Sequence, residues 1–292
     1  MKKIFIAFAF VLSAMQVEAQ EFQGMAVYES KTSTSDFKAN FGGNREITPE
    51  MQKTMEERVK KMMEKRFILN FDKTASIYKE EEKLEAPGQN GGGMRMMSSM
   101  MGGGGTTYKN VKEKTYSVDK EFMGKEFLVK DSLPKLQWKM ENETKQIGGY
   151  TCYKATAVKP VSQSDFRNFR AKEEKKDDKK AEKEKSTNFM DSFEMPKEVT
   201  ITAWYAPEIP VNQGPENYWG LPGLILEVGD GKTVILCSKI VLNPKEKAVI
   251  KAPTKGKEIT QKEYDETVTK KMEEMRQQFQ NGGGRPSFRI GN

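Results

Sequence analysis

Histidine is absent from the 292 residues. That removes Ser-His-Asp and Cys-His nucleophile systems, histidine-ligated zinc and histidine proton switches. Cysteine occurs twice, too few for a cysteine-only zinc or cluster site. Long apolar runs are also missing: after the first few residues, no stretch approaches the length of a membrane span. Hydrophobic residues make up 36% and charged residues 31%. This polar balance points to an ordered frame diluted by solvated insertions.

The N-terminus reads as a leader for export. Lys2 and Lys3 precede a short apolar stretch over 4–15, and Val17 and Ala19 place small residues where a signal peptidase reads. Residues 1–19 are expected to be cleaved, leaving a periplasmic chain with no transmembrane segment. Lys and Arg total 49 against 42 Asp and Glu, and both signs are mixed through the sequence. A nucleic-acid binder concentrates basic residues with interleaved aromatics, so nucleic acid is not an expected partner. Exported chains meet oxidising conditions. A disulfide between Cys152 and Cys237, each in a strand-like run, is the leading reading. The alternative of two buried thiols acting as small hydrophobes stays open.

Hydrophobic periodicity predicts strands over 22–30, 67–79, 136–145, 150–158, 199–205, 224–228, 234–241 and 248–251, with short β-prone runs over 107–129. Gly148-Gly149 and Asp230-Gly231 mark tight turns. A helix is expected over 49–66, with Thr48 as cap and a stripe of Met51, Met55, Val59 and Met62. A second starts at Thr260, where Thr260 and Glu263 form a capping box ahead of Tyr264, Val268, Met272, Met275 and Phe279. Strands follow one another rather than alternating with helices. The expected class is therefore α+β, a mainly antiparallel, curved open sheet with two covering helices. One domain over 20–280 is expected to carry low-complexity insertions at 87–105 and 167–190, with a loose tail over 281–292.

Five thioethers fall within eight residues: Met94, Met96, Met97, Met100 and Met101. Thioethers suit Cu(I), so a copper site is one reading. A pliable contact loop and an unstructured loop without function are the others. The glycine runs lack the spacing of a phosphate loop. Glu208, Glu216 and Glu227 are the carboxylates weighed for acid–base work, but their separation is not fixed by sequence. No catalytic residue and no cofactor are assigned.

The most distinctive stretch runs from Ala203-Trp204-Tyr205 through Ile209-Pro210 and Tyr218-Trp219 to Gly220-Leu221-Pro222-Gly223-Leu224-Ile225. Prolines fix the backbone, glycines allow unusual φ, and aromatics pack or face a partner. The run Gly220–Ile225 resembles the signature of the GLPGLI family of Bacteroidetes-type bacteria. Ile147-Gly-Gly-Tyr150-Thr-Cys152 and Ala203-Trp204-Tyr205 support the resemblance, which extends over 136–242. It implies an exported protein of unknown biochemistry. It also implies a distant likeness to the half-barrel sheets of periplasmic lipoprotein carriers.

The expected function is non-catalytic: a periplasmic binding or accessory protein. It would dock on an outer-membrane protein such as a TonB-dependent transporter, or hold an apolar ligand on its sheet. Its contact residues would come from Trp204, Tyr205 and 218–225, with Tyr218 and Trp219 as exposed anchors and Trp204, Leu221, Leu224 and Leu226 as candidate core contacts. The alternative is a methionine-rich copper-handling protein.

Overall fold

The structure, a computed structural model, describes residues 22–33, 63–81, 105–162, 164–168, 170–171 and 193–281, together with Thr48, Glu50, Lys53, Thr54, Glu57 and Lys60. The strands in chain order are β1 Gln23–Thr32, β2 Glu64–Asp72, β3 Ala75–Glu80, β4 Thr106–Asn110, β5 Thr115–Phe122, β6 Lys125–Ser132, β7 Lys139–Ile147 and β8 Tyr150–Pro160. They continue as β9 Arg170–Ala171, β10 Phe193–Glu194, β11 Glu198–Ala206, β12 Leu224–Gly229, β13 Thr233–Leu242 and β14 Lys257–Ile259. A 3-10 turn spans Phe166–Asn168 and α1 spans Gln261–Asn281.

Twelve strands form one open sheet in the order β14-β6-β5-β4-β3-β2-β1-β13-β12-β11-β8-β7, and β9 pairs with β10 separately. All pairings in the large sheet are antiparallel except β14 with β6. The first strand meets the last long one, so β1 and β13 lie mid-sheet and each half meanders outward. The turns follow their chemistry. Gly148 and Gly149 take φ of 56° and 87° between β7 and β8. Asp230 Oδ1 accepts the Lys232 and Thr233 amides at 2.9 and 2.6 Å between β12 and β13.

One face of the sheet is the core face. Along β13, Ile235 and Cys237 are buried while Val234 and Leu236 are exposed, the alternation of a strand with one covered side. Two layers cover that face. The 207–223 excursion between β11 and β12 is tied to β3, where Ser76 donates to Gln213 Oε1 at 2.9 Å, and at its exit Tyr28 on β1 donates to Ile225 O of β12 at 2.7 Å. Over β5 and β6 the cover is α1, whose Tyr264 and Val268 join Tyr116, Val118, Phe122, Phe127 and Val129 in a second cluster. The capping box holds α1 in place. Thr260 N donates to Glu263 Oε2 at 2.7 Å, and Glu263 N donates to Thr260 Oγ1 at 3.2 Å.

Three expectations are corrected. Two covering helices were expected, and α1 is the one complete helix among the described residues. Glu50, Lys53, Thr54, Glu57, Lys60 and Met63 have helical backbone, but the stripe of Met51, Met55, Val59 and Met62 lies outside the described residues. The expected helix also ends early. Residues 64–66 belong to β2, where Lys65 and Arg66 pair with Ser30 and Glu29 across the ladder to β1. The strand expected over 248–251 is not formed. The side-chain amide of Gln23 takes the place of a partner strand, donating to Ala248 O at 2.9 Å and accepting from Ala248 N at 2.8 Å. Among the described residues no helix is long and apolar enough to cross a membrane.

Candidate functional site

The distinctive segment is mostly internal. Leu221, Leu224, Ile225 and Leu226 are fully buried, as is Ile209 at the start of the excursion. The excursion bonds to itself and to the strand that follows: Leu224 N donates to Ile209 O at 3.0 Å, and Ile225 N to Gln213 O at 3.0 Å. Gly223 is required by close approach, since a Cβ there would stand 2.3 Å from Ala206 O. Gly220 is required by backbone, with φ of +92°. Pro222 faces solvent and fixes the chain between them.

Beneath this segment sits a buried charge. Lys109 on β4 is 1% exposed. Its ammonium donates to Gly214 O at 2.8 Å, Glu216 O at 3.1 Å and Tyr218 O at 2.8 Å. An ammonium has three protons, and three carbonyls accept them. Burial pulls Lys109 down to about 7, with Glu216 acting in the opposite sense.

Arg167 closes the next part of the site. Its Nε and Nη2 donate to Asp165 Oδ1 and Oδ2 at 2.9 Å each, and its Nη1 donates to Glu216 Oε1 at 2.6 Å. Burial raises Asp165, but the charge and hydrogen bonds of Arg167 outweigh it and bring the carboxyl to about 2. Farther along the core face, Ser162 and Ser164 donate to Asp265 of α1 at 2.9 and 2.6 Å. Lys120 on β5 lies 4.5 Å from the centre of the Tyr264 ring. The segment after β8, the excursion, β4, β5 and α1 thus meet in one polar cluster between the two apolar ones.

A cleft opens at the edge of this cluster. Lys159, Arg167, Asn168, Glu216, Tyr218 and Asp230 are among its lining residues, and its cavity volume is about 40 Å³, room for a few water molecules. Lys159 Nζ stands 5.0 Å from the Tyr218 ring centre. Asn168 Oδ1 is buried without a hydrogen-bond partner.

The residues singled out from sequence divide clearly. Leu221 and Leu224 are core, as expected. Tyr218 is not an exposed anchor: it is 8% exposed, because the excursion turns it inward beneath Lys159. Trp219 is half-buried; its indole donates to Pro134 O at 2.8 Å, and the Trp138 indole donates to Trp219 O at 2.9 Å. Trp204 is half-buried with Lys145 Nζ 4.4 Å from its ring centre. Tyr205 is buried beside Tyr153, ring centres 6.1 Å apart.

The three glutamates weighed for acid–base work each have a structural partner. Glu208 accepts from Thr151 N at 3.1 Å, Glu216 from Arg167, and Glu227 from Lys145 at 2.6 Å. Cys152 and Cys237 are free and buried, which corrects the leading disulfide reading. Strands β11 and β12 separate β8 from β13 in the sheet, and both thiols point into the same apolar core cluster as separate groups. Burial pushes the Cys152 thiol up to about 11 and the Cys237 thiol up to about 12. Met94, Met96, Met97, Met100 and Met101 lie outside the described residues, as do the leader, 172–192 of the charged run and the tail from 282.

Sequence reasoning missed Lys109, Asp165, Arg167 and Gln213. Arg167 was placed at the start of a solvated insertion, yet 164–168 belong to the ordered cluster. The Asp165-x-Arg167 spacing was a weak available signal. Lys109 had none, since a single lysine in a short polar strand reads as solvent-facing.

Residues 138–227 match the model of a family described as a protein of unknown function (Porph_ging). The match runs from just before β7 into β12 and contains Arg167, Glu216 and the Gly220–Ile225 motif. A search of curated proteins gave no match. Two solved structures of PNGF-II, in C2 and P21 space groups, are similar with a TM-score of 0.45 each, at 15% and 14% identity. The alignments cover 85% and 86% of this chain but 33% and 34% of those chains. The chain therefore spans about a third of their length.

Proposed function

We propose that the chain is a non-catalytic accessory protein, exported to the periplasm, that docks on an outer-membrane protein such as a TonB-dependent transporter. The export part rests on the leader-like sequence of residues 1–19. The docking part rests on exposed apolar side chains: Val234 and Leu236 on β13 are 42% and 40% exposed, and Val158 on β8 is 57% exposed. On β13 these side chains alternate with core residues, so they lie on the sheet face turned away from the excursion. Large apolar side chains left in water on strands are the raw material of contact surfaces. This moves the proposed contact from Tyr218 and Trp219, which the fold uses internally, to the outer side of the sheet.

The carrier-like alternative, an apolar ligand on a half-barrel sheet, has less support. Leu221, Leu224 and Ile225 of the chain itself occupy the core face, and the cleft beside them is small and lined by charged as well as apolar side chains.

The test is photocrosslinking in intact cells with a reactive residue at position 236, and at the buried position 224 as control. The reading expects adducts to an outer-membrane protein from position 236 and none from 224. A chain found only in the cytoplasm, or one giving no adduct from 236, would remove it.

A further inference from the structure

We infer that the carbonyl oxygens of Gly214, Glu216 and Tyr218 form a monovalent-cation cradle in which the Lys109 ammonium is the resident ion, so that potassium or ammonium binds there once the lysine side chain is cut back. Alternate carbonyls of one short loop converge on a single point at 2.8, 3.1 and 2.8 Å. The chain turns to allow this at Glu216, a non-glycine residue with φ of +46°. Convergent carbonyl dipoles out of water form a negative spot that is costly to leave unmatched. Two features select the class of ion. The ligands are neutral carbonyls, which replace the hydration shell of potassium in selectivity filters. The Glu216 carboxylate acts on Lys109 as the nearby opposite charge, so one positive charge at this point is balanced.

This assigns a role to a lysine whose position in a short β4 strand otherwise has no explanation. Lys109 reaches from the sheet into the excursion and holds the loop that enters the Gly220–Ile225 motif. Its ammonium does what a bound ion would do, without having to be drawn from solution.

The experiment is thermal melting of full-length Lys109→Ala at about pH 6, where the wild-type ammonium is charged, in potassium, ammonium or choline chloride at matched ionic strength. Truncation to alanine opens the path that the four distal atoms of lysine fill. The expected result is a melting temperature that climbs with the logarithm of potassium or ammonium concentration, the signature of ligand binding to the folded state, and that stays flat in choline. Wild type should be indifferent to the cation. Lys109→Met, which fills the path without charge, should be destabilised and unresponsive. The inference is overturned if Lys109→Ala responds to all three salts alike, responds to none, or folds in none of them. It is equally overturned if Lys109→Met or wild type shows the same selective rise.

Discussion

Arg167 and Glu216 are 49 positions apart in the chain, and their side chains meet with Nη1 to Oε1 at 2.6 Å. The contact ties the segment that follows β8 to the excursion between β11 and β12. The same guanidinium holds Asp165, so one cation serves two carboxylates. These side chains are 19–23% exposed. The trio is therefore partly desolvated, and breaking it strands charge in a poorly solvated place.

A double-mutant cycle on this pair follows. Arg167→Met alone should cost about 3–5 kcal/mol, because Asp165 and Glu216 lose their common partner. Combined with Glu216→Gln, the loss should be less than the sum of the single losses, with a coupling of about 1–3 kcal/mol. Urea denaturation of the four proteins measures it. Strict additivity would show that the observed pairing contributes nothing to stability.

Gly223 and Gly148 make opposite predictions for a side chain at a glycine. A Cβ at 223 meets Ala206 O at 2.3 Å and Pro207 N at 2.7 Å, and backbone cannot step aside. Gly223→Ala should lower stability by about 1–3 kcal/mol or more. Gly148 has φ of +56° and nothing within 4 Å of a Cβ, and asparagine tolerates that backbone. Gly148→Asn should lie within about 0.5 kcal/mol of wild type. Melting curves of the two variants check both, and equal losses would contradict the packing at Ala206.

The Lys109 titration gives a signed pH dependence. The unfolded lysine keeps its proton to about pH 10.4, while burial brings the folded group down to about 7. Between these values the unfolded chain binds more protons, so stability rises with pH. The cleanest window is about pH 7 to 8, below the ordinary cysteine value of about 8.5 at which unfolded thiols ionise. Denaturation midpoints of wild type should rise across that window relative to those of Lys109→Met. Parallel curves would mean that Lys109 does not titrate there.

The thiols provide a chemical check. Thiolate is the reactive form, and Cys152 and Cys237 are buried with thiols held at about 11 and about 12. Native protein should resist alkylation near neutral pH, and both thiols should react in denaturant without a reductant. Intact mass after each treatment counts the labels. A denatured, unreduced protein that takes up none would reveal a cross-link.

Much of the frame was legible along the chain. The Thr260–Glu263 box marks the first turn of α1, the paired glycines at 148–149 mark the β7–β8 turn, and the apolar run from Val234 to Cys237 marks β13, though not which of its side chains face the core. Leu221 and Leu224 are core residues, as their place in an apolar run of the motif suggested. These readings depend on residues within a few positions of one another, whose backbone bonds and side-chain directions repeat with a fixed period. The helix expected to reach Arg66 shows where that logic stops, since pairing with β1 claims residues 64–66 for a strand.

What the sequence determined by itself is the strand-rich character, the turns and the capped helix, because each is set by neighbours in the chain. Tertiary structure alone decided that Tyr218 is buried, that Cys152 and Cys237 are free thiols on strands that are not neighbours, and that Lys109 is a core residue. Lys109 is 105 to 109 positions from Gly214 and Tyr218, whose carbonyls it meets. A buried charge is tolerable only when partners surround it, and here those partners are backbone atoms, which carry no side-chain signature. They reach Lys109 only because the excursion folds across a sheet built from both ends of the chain.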